Sequence, residues 1–203
     1  DPEREITVTC GATEAMAAVM LAVVDPGDEV IVFEPFYENY GPDTVLSNAK
    51  PVFITLEPPD YRLDPYQLEA AIGPRTKALV LNTPNNPTGR VFDREELQGV
   101  VDLCLKHDIL AITDEIYEHI NFTKEKHHSI GEFLSTKNQV VTINGLSKAF
   151  AMTGWRLGYL GAPIDIANAC AKIQGQFTSG ACSITQRAAI TALKRNPNFT
   201  KKM

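Results

Sequence analysis

Seven short β-branched runs alternating with helical patterns predict an α/β chain: a mostly parallel sheet with helices on both faces. Three observations carry this expectation. The runs are short and rich in Val and Ile. The segments between them hold apolar residues at helical spacing. Polar residues able to do chemistry fall just after the runs, where open α/β sheets bind their ligands.

Taken in order, the run Glu5–Thr9 leads through Gly11 into a helix over Thr13–Val24. That helix is apolar on all sides from Met16 to Val24, a length that suits burial rather than a membrane span. Asp25-Pro26-Gly27-Asp28 stops it and turns the chain. A second run, Glu29–Phe33, precedes a helix over Phe36–Ser47, and a third, Pro51–Thr55, precedes one over Asp64–Ile72. The fourth run is Ala78–Asn82. The helix after it, Asp93–His107, opens with Asp93 and Glu96 at capping-box spacing. Ile109–Thr113, Gln139–Ile143 and Leu157–Gly161 complete the strands, and one long helical pattern follows over Ile164–Arg195.

The chain has 203 residues, 44% hydrophobic residues and a net charge of -6. This suffices for one large domain or two small ones. The acidic balance and scattered Lys and Arg exclude a nucleic-acid or anionic-membrane partner. The densest basic stretch, Lys124-Glu125-Lys126-His127-His128, is interrupted by its own glutamate. No metal site is expected. His127 and His128 are adjacent and would diverge, so a solvated loop is the expected setting, and Cys10, Cys104, Cys170 and Cys182 form no CxxC pair. Reduced thiols in a cytoplasmic protein follow. There is no signal-peptide pattern. The long last helical pattern has no strand after it before Lys201-Lys202-Met203, and the chain starts one step before a strand. A piece of a longer polypeptide is expected.

The chemistry centres on Lys148, delivered from the end of an apolar run, with Arg156 eight residues later. A desolvated lysine can lose its proton and form a Schiff base with an aldehyde, whereas arginine keeps its charge and holds phosphate. Alone, Lys148 would read as a surface residue. Asp114 ends another run. It could cap a helix, or sit beneath a heteroaromatic ring nitrogen and keep it protonated. Tyr117, three residues on, would face the same way, either to hydrogen-bond a ring hydroxyl oxygen or merely to pack. Thr83 to Gly89 is dense in Pro and Asn. It is a plain turn or a rigid loop that aims Asn86 into a site, with Asn86–Pro87 a candidate cis bond. Gly11-Ala12-Thr13 at a helix start suits phosphate, and Tyr37 offers a ring for stacking or for the core.

The ordered set Gly11-Ala12-Thr13, Asn85-Asn86-Pro87-Thr88-Gly89, Asp114-Glu115-Ile116-Tyr117 and Ser147-Lys148 with Thr153-Gly154-Trp155-Arg156 resembles class I/II aminotransferases. These are pyridoxal-phosphate enzymes of fold type I, and the branch with bacterial aspartate and prephenate aminotransferases is the most similar. The resemblance implies that residues 1–203 are part of the pyridoxal 5′-phosphate-binding large domain, lacking an N-terminal arm and a C-terminal small domain. It implies Lys148 as the Schiff-base lysine and proton shuttle, and Asp114 as the partner of the ring nitrogen. Tyr117 and Asn86 become donors to the 3′-oxygen, Tyr37 the stacking ring, and Ala12, Thr13, Ser147 and Arg156 the phosphate ligands. It favours the cis form of Asn86–Pro87. Several branches place a serine where this chain has Gly145. No residue here matches the arginine that binds the substrate carboxylate, so the chain alone is expected to be weak or inactive. The resemblance also implies a homodimer, with Thr178 or Ser179 reaching the partner's phosphate. Amino acids and 2-oxo acids are the implied substrates, of the aspartate and glutamate type. Rival readings are a lyase or synthase on the same fold, and an aminotransferase-like sensing domain of a transcription regulator.

Overall fold

Strands buried on both faces need apolar residues at successive positions, and this chain supplies them. Val30 and Val32 enter one core while Ile31 and Phe33 enter the other. Leu110 and Ile112 divide from Ile109 and Ala111 in the same way. The computed structural model describes residues 1–124, 126–133, 138–195 and 200. Glu125 of the basic stretch and the terminal Lys201-Lys202-Met203 lie outside the described residues.

All seven expected strands are present: β1 (Ile6–Thr9), β2 (Glu29–Glu34), β3 (Lys50–Thr55), β4 (Thr76–Asn82), β5 (Leu110–Asp114), β6 (Val140–Gly145) and β7 (Gly158–Gly161). They form one sheet in the order β1-β7-β6-β5-β4-β2-β3. Pairing is parallel from β3 across to β6. β7 is inverted and pairs antiparallel with both β6 and β1. The sheet is therefore mostly parallel, as expected.

Helices cover both faces. α1 (Ala12–Val23) and α5 (Ile164–Phe177) pack on one through Met16, Val19 and Cys170. α3 (Pro65–Ala71) and α4 (Arg94–His107) pack on the other through Leu68, Leu97 and Val100. The Asp93/Glu96 capping box forms at the start of α4. Asp25 to Asp28 turns the chain, with Gly27 at φ 92. Among the described residues, no helix is long and apolar enough to cross a membrane.

Two expected helices are corrected. The second, α2, spans Tyr40–Leu46 rather than Phe36–Ser47. Residues 36–39 are non-helical, which lets Phe36 stack on Phe53 of β3 at 5.4 Å while its neighbour Tyr37 turns to the opposite side. The long pattern Ile164–Arg195 is two helices, α5 and α6 (Ser183–Lys194). Ser179 at φ 61 and Gly180 at φ 144 break it, because left-handed backbone cannot continue a right-handed helix.

Candidate active site

The parallel strands end on one rim, and the loops leaving them enclose a cleft. Its walls include every residue singled out for chemistry: Ala12, Thr13, Tyr37, Asn86, Asp114, Tyr117, Ser147, Lys148 and Arg156. These nine come from loops after β1, β2, β4, β5 and β6, and from the approach to β7. Sequence reading missed Asn39, Tyr40, Asn82, Ile116 and Thr153 in the same walls.

β5 is central and buried along its whole length, and its last residue is Asp114. No helix follows, so Asp114 does not cap one. Its Oδ1 accepts from the Ile116 backbone N–H at 3.1 Å, and its Oδ2 accepts from the Tyr40 hydroxyl at 2.8 Å. Burial pushes the Asp114 carboxyl above its ordinary value, and these two hydrogen bonds oppose that rise. Burial likewise drives the Tyr40 phenol well up. Tyr117 reaches the cleft on a turn rather than on a helix. The Lys148 ammonium lies 5.6 Å from its ring centroid.

Asn82, buried at the end of β4, ties two walls together. Its amide donates to the Asp114 carbonyl at 2.9 Å, and its Oδ1 accepts from the Asn86 N–H at 2.7 Å. The loop beyond is braced by Asn85, whose Oδ1 accepts from the Thr88 hydroxyl at 2.7 Å. The Asn86–Pro87 bond is cis, as expected.

The opposite end of the cleft is built for an anion. α1 starts at Gly11 with no side-chain cap, so its first-turn N–H groups face the cleft beside Ala12 and Thr13. Arg156 joins them with φ 50, donating to the carbonyls of Thr153 at 3.1 Å and Cys10 at 3.5 Å. Gly11 makes this possible. A Cβ there would lie 2.4 Å from Arg156 Nη2, and its φ of 92 suits only glycine. The Thr153 hydroxyl donates to the Ser147 carbonyl at 3.1 Å, which fixes the loop carrying Lys148.

At Gly145, where the resemblance implied serine in several branches, the backbone is closely packed. A Cβ at 145 would meet the Leu157 carbonyl at 2.9 Å and the Gly158 Cα at 3.1 Å. A side chain there would require the Leu157–Gly158 backbone to shift.

One expectation about the histidines is corrected. His127 is not in a solvated loop: its Nε2 lies 3.3 Å from buried Glu115, with Ser129 donating to the same carboxylate at 2.7 Å. His128 diverges toward Glu132 instead. Glu115, Glu118 and His127 bring ligand-type atoms within 4.8 Å of one another, behind the cleft wall. Glu115 is already engaged by Thr113, Ser129 and His127, and Glu118 by Asn144.

The model of the family "Aminotransferase class I and II" matches residues 1–203. The chain belongs to that family. Among curated members of the class I and II aminotransferases, it is 43% identical to the bifunctional aspartate aminotransferase and glutamate/aspartate-prephenate aminotransferase of Petunia hybrida, over 93% of this chain and 40% of that one. It is 45% identical to the aspartate aminotransferase of Pinus pinaster, over 93% of this chain and 39% of that one. The chain thus spans about two fifths of the length of these relatives. The fold is that of N-succinyldiaminopimelate aminotransferase from Mycobacterium tuberculosis, with a TM-score of 0.95 at 35% identity, covering 98% of this chain and 53% of that one.

Proposed function

We propose that this chain is the cofactor-binding large domain of an aminotransferase. The enzyme would move an amino group between an amino acid and a 2-oxo acid, with substrates of the aspartate and glutamate type. One observation carries the proposal. Nine residues chosen for their chemistry, drawn from six segments, line a single cleft with an anion-binding end and a buried carboxylate. The aspartate aminotransferases among the relatives support the substrate class.

The donor set fits pyridoxal 5′-phosphate. The clearance at Gly11, the uncapped start of α1 and Arg156 suit its phosphate. The Asp114 carboxylate, raised by burial beyond what Tyr40, the Ile116 N–H and the Lys148 charge offset, suits a protonated ring nitrogen. When bound, this cofactor supplies an electron sink for the substrate carbon that bears the amino group.

The chain's own groups divide the remaining work. Lys148 Nζ would hold the cofactor through its aldehyde carbon and, as a free amine, would move the proton at the substrate α-carbon. Asp114, steadied by Tyr40, holds the proton on the ring nitrogen. The Tyr117 hydroxyl and the Asn86 amide donate to the 3′-oxygen. Tyr37 covers one face of the ring. Ala12 and Thr13 N–H groups, the Thr13 and Ser147 hydroxyls and Arg156 hold the phosphate. Homodimerisation and a cytoplasmic setting are part of the proposal; four free cysteines suit a reducing compartment.

The test is borohydride trapping of added pyridoxal phosphate on the full-length protein, followed by peptide mapping. A reduced adduct on Lys148 is the expected result. Labelling spread over surface lysines, with Lys148 unlabelled, sinks the proposal. Amino transfer from aspartate to 2-oxoglutarate then checks the reaction, and release of pyruvate without any acceptor would mark a lyase instead.

A further inference from the structure

Behind the cleft wall, the residues that alternate with the proposed catalytic groups form a second layer. On the turn after β5, Asp114 and Tyr117 face the cleft, while Glu115 and Glu118 face away. Glu118 Oε1 accepts from Asn144 Nδ2 at 2.8 Å. Asn144 is 6% exposed, lies one residue before the end of β6, and accepts from the Gly145 N–H at 2.7 Å through its Oδ1. Four residues later the same loop presents Lys148. β5 and β6 are neighbours, in register at Asp114 and Ile143, so the Asn144–Glu118 bond crosses just beyond the last paired rung. It is a side-chain bond between the end of β6, from which the Lys148 loop departs, and the turn that carries Tyr117.

We infer that Asn144 and Glu118 are a pair of positioning residues that set the distance between Lys148 and Tyr117. The reasoning is geometric. The sheet fixes the strands up to Asp114 and Gly145; beyond them the Lys148 loop is held to its own side by Leu146, Met152 and Thr153, and the turn after β5 by the Glu115 N–H on the Ile143 carbonyl. Lys148 and Tyr117 are in contact, 5.6 Å from ammonium to ring centroid, yet neither carries a bond that fixes the separation. Asn144 uses both ends of its amide: one on the last residue of its own strand, Gly145, where the Lys148 loop begins, and one on the neighbouring turn at Glu118. A buried amide with both ends satisfied holds its orientation, because turning away would leave a buried donor unpaired. Other groups near Glu118 cannot replace the bond. His119 at 3.3 Å is on the same turn, and Tyr159 of β7, whose phenol is raised by burial and then by Glu118 and Glu115, makes no hydrogen bond to Glu118.

The inference rests on the pyridoxal-phosphate reading, in which Tyr117 donates to the 3′-oxygen and so stabilises the deprotonated nitrogen of the lysine link. A displaced Tyr117 donates less well, and the pH midpoint of the bound cofactor's visible absorption then rises. The experiment measures that midpoint in full-length protein for wild type, Asn144→Ala, Glu118→Gln and Glu118→Ala. The last two carry the same charge, but only Gln keeps an oxygen for Asn144. Expected is a midpoint higher in Glu118→Ala than in Glu118→Gln by roughly half a unit to one unit, with a similar rise in Asn144→Ala over wild type. Equal midpoints for the two Glu118 variants, with Asn144→Ala matching wild type, overturn the inference. Glu118 is partly exposed, so its two variants still decide the matter should Asn144→Ala fail to fold. Wild-type protein that traps no cofactor on Lys148 fails at the earlier step, and takes the inference down with the reading beneath it.

Discussion

Asp114 is a buried carboxyl whose burial outweighs the groups that favour its charge. Burial raises its carboxyl pKa, and the Tyr40 hydroxyl, the Ile116 N–H and, more weakly, the Lys148 charge offset that in part. A carboxyl raised in the folded state contributes its full stability below the ordinary carboxylate value and loses it as pH rises through the raised value. Asp114→Asn is therefore expected to melt higher than wild type without cofactor, by a margin that widens with pH, while binding pyridoxal phosphate less well. Melting curves at pH 5 and 8 check the first part and cofactor titration the second; a lower melting point at pH 8 refutes the argument. Gly145 makes an independent prediction. Gly145→Ser places a Cβ 2.9 Å from the Leu157 carbonyl, and overpacking of this kind costs about 1–3 kcal/mol. Urea unfolding measures it, and an unchanged midpoint would show that β7 can move aside.

At the level of elements, α2 is the sensitive one. Asp43, buried on it with Asn39 at 3.2 Å, has its carboxyl raised by burial to about 6. Its contribution is fully present below about 3.8 and lost as pH climbs through about 6. Asp43→Asn is expected to flatten the pH dependence of melting across that window; a slope identical to wild type contradicts it. The same element marks the edge of what could be read from residues. The strands were legible because Val and Ile recur at short, bounded intervals, and Lys148, Asp114, Tyr117 and Asn86 were legible because they follow strands. Tyr40 was not. A helix placed from Phe36 treats it as one more core aromatic, and only the non-helical stretch 36–39 turns its hydroxyl toward Asp114. The break between α5 and α6 was hidden too. Ser179 is no marked helix breaker, and Gly180 alone does not announce a left-handed pair. Asn82 read as a strand end and Asn144 as the first residue after one, because the bonds that give them meaning run between segments far apart in sequence.

For the whole molecule, sheet order dictates where rigidity lies. β4, β5 and β6 are flanked on both sides, whereas β1 and β3 are the outer strands. Amide hydrogen exchange is expected to be slowest in Leu79–Leu81 and Ala111–Thr113 and fastest, among strands, in β1 and β3. Protection in β1 equal to that in β5 would mean that another part of the protein covers its free edge. Asp114 sits at the end of a protected strand, and Asn86, Tyr117, Ser147 and Lys148 follow such strands, whereas the anion-binding end joins β1 to the approach to β7.

That junction has a consequence for how the molecule is made. Among the described strands β1 bonds to β7 alone, with Thr9 opposite Gly158, so during synthesis it has no partner among them until about 150 further residues have followed it. At ordinary rates of synthesis that wait lasts roughly 8–30 s. Through all of it Gly11 has no Arg156 beside it, and the nascent chain cannot grip a phosphate until β7 arrives to draw the two together.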